Sequence, residues 1–142
     1  MSAGAYLTMM LCMNPAYLRN FGVDMDGILA FVSDSAQQTV HYNVLRERGM
    51  DTRLERLDDT APLYYAGVNT LTKPLLIIYY ENDMPCRPEQ NILTYKSLLR
   101  FQPDARIGLV MLSGGHCAGS SRVDETGEFP YMRELLTFVE EL

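Results

Sequence analysis

Histidine is scarce in this 142-residue chain, with only His41 and His116 available for proton transfer near neutral pH. His116 closes the run Ser113-Gly114-Gly115-His116, which follows an apolar segment at residues 107–112. Asp83 closes the turn Glu81-Asn82-Asp83 after a stronger apolar segment at residues 75–80. A carboxylate and an imidazole at two such exits suit acid–base chemistry. The carboxylate fixes the ring tautomer and stabilises the imidazolium, and the other ring nitrogen takes a proton from a hydroxyl. Glu81 and Asp58 are alternative carboxylates, because acidic residues are frequent turn formers after strands. His41, beside Tyr42 in a more polar region, reads as a surface or packing residue. Cys12, Cys86 and Cys117 are widely spaced, odd in number and in no C-x-x-C pattern, so neither a disulfide framework nor a zinc site is suggested. Cys117 beside His116 raises a thiol-nucleophile reading, but sequence neighbours in a loop usually point apart.

The elements that would position these groups follow from hydrophobic pattern. Residues 2–13 are apolar on nearly all sides and predict a buried helix. Asn14-Pro15 stops it and restarts a short helix, and Gly22 suits a left-handed end. Residues 28–32 are wholly apolar between Gly27 and Ser33, as expected of a strand buried on both faces. Residues 33–69 are polar and irregular, carry mixed charge over 46–59, and predict a cap-like insertion above the sheet. Residues 75–80 form the strongest strand signal, 88–101 an amphipathic helix, 107–112 a further strand and 129–142 a final helix. Helices alternating with short buried strands predict a single α/β domain over residues 1–142, a three-layer α/β/α arrangement on a mostly parallel sheet. Ligands of such a sheet gather at the carboxyl ends of its strands. Asp83 and His116 both fall there.

The nucleophile comes from the other end of the chain. Ser2 alone would be an ordinary helix N-cap. Ser2-Ala3-Gly4-Ala5-Tyr6, however, resembles the second half of the G-x-S-x-G elbow of α/β-hydrolases, a strained turn into a helix that exposes the serine. In that setting the Ala3 backbone N–H would donate to a developing oxyanion, aided by the helix dipole. Ser2, Asp83 and His116 stand in the chain order Ser, acid, His that this fold uses. With Asp59-Thr60-Ala61-Pro62-Leu63 and Gln90 after Glu81-Asn82-Asp83, the chain is similar to bacterial esterases and lipases of the feruloyl-esterase-like and kynurenine-formamidase-like branch. The resemblance implies hydrolysis of small carboxylic esters, or of amides, through an acyl-enzyme, with no cofactor and no metal.

The leading Gly-x of the elbow, the strand before it and an H-G-G-type oxyanion loop have no counterpart in this sequence. The expectation is therefore a C-terminal portion of an α/β-hydrolase lacking its N-terminal strands. Met1 then marks a truncation or internal start, or a second chain supplies the rest. The strand at 28–32 would present an open edge, an association hazard that predicts homodimerisation or pairing with a partner. A non-catalytic remnant acting as an interaction module is the alternative reading.

Composition narrows the partners. Twelve basic against eighteen acidic residues leave a net charge of −6, and no Lys/Arg cluster could follow a phosphate backbone, so nucleic acid is not expected. The longest apolar stretches fall well short of the roughly 20 residues that span a bilayer. No basic-then-apolar leader opens the chain. A small ester in the cytoplasm is the expected substrate and setting.

Overall fold

The computed structural model describes residues 1–142. In chain order its helices are α1 (Ala3–Met13), α2 (Ala16–Arg19), α3 (Tyr42–Glu47), α4 (Arg87–Phe101) and α5 (Pro130–Glu140). Its strands are β1 (Phe31–Asp34), β2 (Leu75–Asn82) and β3 (Ile107–Gly115), paired in parallel in the order β1-β2-β3. No helix is long and apolar enough to cross a membrane.

β2 explains why this topology holds. Successive side chains of a strand point to opposite faces, and here both faces are covered. Leu75 and Ile77 join Met9 of α1, Phe31 of β1 and Leu98 of α4 in one core. Leu76, Ile78 and Tyr80 join Phe138 of α5 in another. Burial on two sides makes the strand read as an unbroken apolar run instead of an alternation. The expected three-layer α/β/α arrangement and parallel sheet are present.

Local chemistry sets the ends of the helices. Asn14 N–H donates to the Met10 carbonyl, and its side chain accepts from Ala16 N–H at 3.2 Å, so one residue ends α1 and starts α2. Pro88 in the first turn of α4 and Pro130 at the first position of α5 sit where a missing N–H is harmless.

Three strand boundaries differ from the sequence reading, and in one of them β2 runs on through Glu81 and Asn82. β1 covers Phe31–Asp34 and not residues 28–32. Met25–Gly27 forms a 3-10 turn, Leu29 is 67% exposed, and the ladder begins only where Phe31 N–H meets the Pro74 carbonyl. β3 continues to Gly115, so His116 leaves the strand directly.

Residues 33–41 are also buried, although apart from Ala36 and Val40 they are polar. Side chains of α4 satisfy part of their backbone and amides. The Gln90 side-chain oxygen accepts from Gln38 and Thr39 N–H at 2.8 and 3.3 Å. Asn91 accepts from the Gln38 amide at 2.9 Å and donates to the Ala36 carbonyl at 3.0 Å. A buried polar seam of this kind is stable when its members are paired, and it fastens the exit of β1 to the start of α4.

Ile77→Ala, which empties the centre of the sheet, is expected to destabilise the fold by about 2–5 kcal/mol in urea unfolding. Leu29→Ala, at an exposed position, should stay within about 0.5 kcal/mol of the parent.

Candidate active site

Ser2 occupies the turn into α1 with φ 51° and ψ −122°, a left-handed backbone rarely adopted by a residue with a side chain. Its N–H donates to the carbonyl of Asp34, the last residue of β1, at 2.9 Å. Serine is thereby held at the carboxyl end of the sheet. Ala3 is the first residue of α1 and carries one of the helix N–H groups that have no intrahelical acceptor. A Cβ at Gly4 meets nothing within 4 Å, so local contacts do not require glycine there.

Asp83 follows β2 and His116 follows β3, and the parallel register brings the two exits together, with Asn82 opposite Gly115. The Asp83 side chain is fully buried, and its Oδ1 lies 2.5 Å from His116 Nδ1. His116 Nε2 lies 2.8 Å from Ser2 Oγ. One imidazole thus spans a carboxylate and a hydroxyl, each on a different ring nitrogen. Donation of Nδ1–H to Asp83 leaves Nε2 as the acceptor for the serine proton. The alternatives, Glu81 and Asp58, stand apart from this cluster: Glu81 is exposed, and Asp58 pairs with Arg48 at 2.7 Å.

Backbone strain concentrates at the same place. Only four non-glycine residues have positive φ: Ser2, Ser35, Cys86 and Cys117. Ser2 is the candidate nucleophile, Cys86 and Cys117 follow Asp83 and His116 in their loops, and the Ser35 hydroxyl accepts from Cys117 N–H at 3.2 Å. Such conformations cost on the order of 1–3 kcal/mol each and persist where surrounding structure over-determines them. Near the end of β3, Gly114 has φ 122°, and a Cβ there would come within 2.7 Å of Ala118 and 2.8 Å of Arg122. Glycine is needed at that point of the approach to His116.

The sequence reading missed Arg87. It is 5% exposed, and one guanidinium nitrogen donates to the Ser35 carbonyl at 3.2 Å. Burial lowers its pKa, and the negative charge of Asp83 opposes that shift. Proline at the second helical position and the turn before it gave no sign of a buried cation. His41 is buried between Tyr6 and Tyr42, with its ring 5.0 and 4.4 Å from theirs, and burial pushes its pKa down. It packs and does not reach Ser2 by any hydrogen bond. A cavity of about 480 Å³ lies between β3 and α5, lined by Tyr80, Leu112, Arg122 and Tyr131, and includes none of Ser2, Asp83 and His116. No group of three or more His, Cys, Asp or Glu side chains is arranged to hold a metal ion.

No protein-family model matches the chain, and no curated protein sequence does. Solved structures do. The acylaminoacyl peptidase of Pyrococcus horikoshii, uncomplexed, superimposes with a TM-score of 0.65 at 20% identity over 99% of this chain and 22% of that one. Its orthorhombic crystal form gives 0.61 at 17% identity, with the same coverage. The fold is a partial α/β-hydrolase fold. The chain spans about a fifth of the length of these hydrolases. The likeness is to a peptidase, and it does not single out the esterase branch that the motifs resemble.

The three thiols differ sharply in setting. Burial pushes the Cys12 thiol up to about 12 and raises that of Cys117, whereas Cys86 is exposed. Because the thiolate is the reactive form, iodoacetamide at pH 8 is expected to modify Cys86 first, Cys117 more slowly and Cys12 only after unfolding. Peptide mapping of a time course checks this order, and faster modification of Cys117 than of Cys86 would contradict it.

Proposed function

We propose that the chain acts as a serine hydrolase on small carboxylic esters, with Ser2 as nucleophile, His116 as general base and then acid, and Asp83 orienting His116. The observation that carries the reading is the single imidazole ring bridging Asp83 at 2.5 Å and Ser2 Oγ at 2.8 Å. Ser2 Oγ attacks the carbonyl carbon as its proton passes to His116 Nε2. Negative charge collects on the former carbonyl oxygen, where the Ala3 N–H and the amino end of α1 stabilise it. Collapse expels the alcohol, protonated by His116, and leaves the acyl group on Ser2. Water then attacks the acyl-enzyme with His116 as base, which frees the acid and restores the serine. Buried Asp83 stabilises the imidazolium at both steps.

The structural likeness to an acylaminoacyl peptidase favours the amides that the motif resemblance already allowed. Comparing p-nitrophenyl acetate with an N-acetylated amino-acid p-nitroanilide separates the two classes. A second reading has one observation in its favour. The outer edge of β1 is unpaired by any strand, and Leu29 beside it is exposed. Such an edge is suited to pairing with a second copy of the chain.

A fluorophosphonate probe is expected to label the purified chain at Ser2, and Ser2→Ala should abolish the adduct. Asp83→Asn and His116→Ala should each slow esterolysis by about 10⁴-fold, the scale on which such clusters fail when a member is lost. No adduct, together with a stable dimer in light scattering, would replace the hydrolase reading with the interaction-module one.

A further inference from the structure

Asp34 is a buried carboxylate that the hydrolase chemistry does not use. It is 2% exposed at the end of β1, and burial pushes its carboxyl above the ordinary range while a hydrogen bond from Ser35 pulls it back. Its backbone carbonyl and both of its carboxylate oxygens are occupied. The backbone carbonyl accepts Ser2 N–H at 2.9 Å. Oδ1 accepts the Ser35 hydroxyl at 3.0 Å, and Oδ2 accepts the Tyr80 hydroxyl at 3.3 Å.

Those two hydroxyls each have a second partner. Ser35 Oγ accepts Cys117 N–H at 3.2 Å, and Tyr80 Oη accepts Gly119 N–H at 2.9 Å. Both N–H groups belong to the loop that directly follows His116. The approach is close: a Cβ on Gly119 would lie 2.4 Å from Tyr80 Oη and 2.8 Å from the Tyr131 ring.

We infer that Asp34 is a positioning residue that ties the serine turn to the histidine loop, through its carbonyl on one side and the Ser35 and Tyr80 hydroxyls on the other. An ionised carboxylate only accepts hydrogen bonds, so it takes both hydroxyl protons. The hydroxyl oxygens are then left with lone pairs facing Cys117 and Gly119. The two backbone N–H groups can only donate, so with the carboxylate accepting at the other end the direction of every bond in the network is set. An asparagine of the same shape would present an NH₂ to one hydroxyl, whose proton would turn toward the backbone N–H that it should accept. The loop would be released, and His116 would lose its register with Ser2. Misplacement of a reacting group by about 1 Å can cost a factor of about 100 in rate.

The role in catalysis rests on the serine-hydrolase reading, whereas the network itself does not. Asp34→Asn, Tyr80→Phe and Ser35→Gly test both on the full chain, by amide hydrogen exchange and by kinetics on p-nitrophenyl acetate. Glycine is the choice at residue 35 because its φ is 58°. In Asp34→Asn the amides of Cys117 and Gly119 should exchange at least about tenfold faster while those of Ile77 and Ile78 are unchanged. Its kcat should fall about 100-fold with KM within about twofold. Tyr80→Phe should release Gly119 but not Cys117, and Ser35→Gly the reverse. That selectivity decides the matter if Asp34→Asn does not fold. Wild-type exchange at Cys117 and Gly119 in the variants would overturn the inference, as would released amides with an unchanged kcat. A parent chain with no esterase activity would remove the hydrolase reading instead, and the exchange pattern would still show whether Asp34 holds the loop.

Discussion

One imidazole has to be reached from two sides by groups that lie 33 and 114 residues away along the chain. That requirement constrains nearly everything else in the structure. Short-range turns cannot close such distances, but a parallel sheet can, because its crossovers return every strand to the same rim. β2 delivers Asp83 there and β3 delivers His116. β1 does not carry a member of the cluster itself. Its terminal carbonyl holds the Ser2 N–H, and with the packing of α1 in the core this bond sets the amino end of α1 at the rim.

The rim is assembled with strained and buried polar parts. Left-handed residues punctuate the turn at Ser2, the exit of β1 at Ser35, the turn after Asp83 and the loop after His116. Such backbone would relax if it were free to do so. It is held by hydrogen bonds in which Asp34, Ser35 and Tyr80 face the histidine loop, and Gln38, Gln90 and Asn91 fasten the β1 exit to α4. Arg87 adds a buried positive charge near Asp83. The apolar layers formed by Ile77 and Leu98 on one side and Ile78 and Phe138 on the other hold the frame on which these smaller bonds depend.

Much of this frame was legible in the chain because its signals are local. The unbroken apolar run of β2, the spacing of Tyr131 and Phe138 in α5, and the Gly-Gly lead into His116 each report on their own surroundings. The Ser2-Ala3-Gly4-Ala5-Tyr6 segment carried its meaning by resemblance to a known turn and not by any periodicity. What stayed hidden depends on distant partners. Ser33 and Asp34 look like loop residues, and only their pairing with Ile77 and Ile78 makes them strand. The polar residues Gln38 and Thr39 read as part of an irregular insertion, and only Gln90 and Asn91, some fifty residues later, show what holds them. A buried acid such as Asp34 has no sequence signature, because its surroundings are assembled from three different elements.

Whether Ser2, His116 and Asp83 act as one cluster is decided by the crystal structure of the chain after reaction with a fluorophosphonate. A phosphorus atom bonded to Ser2 Oγ is expected, with a phosphoryl oxygen about 3 Å from the Ala3 nitrogen and His116 still placed between the adduct and Asp83. An adduct on another residue, or a phosphoryl oxygen turned away from the amino end of α1, would contradict that reading.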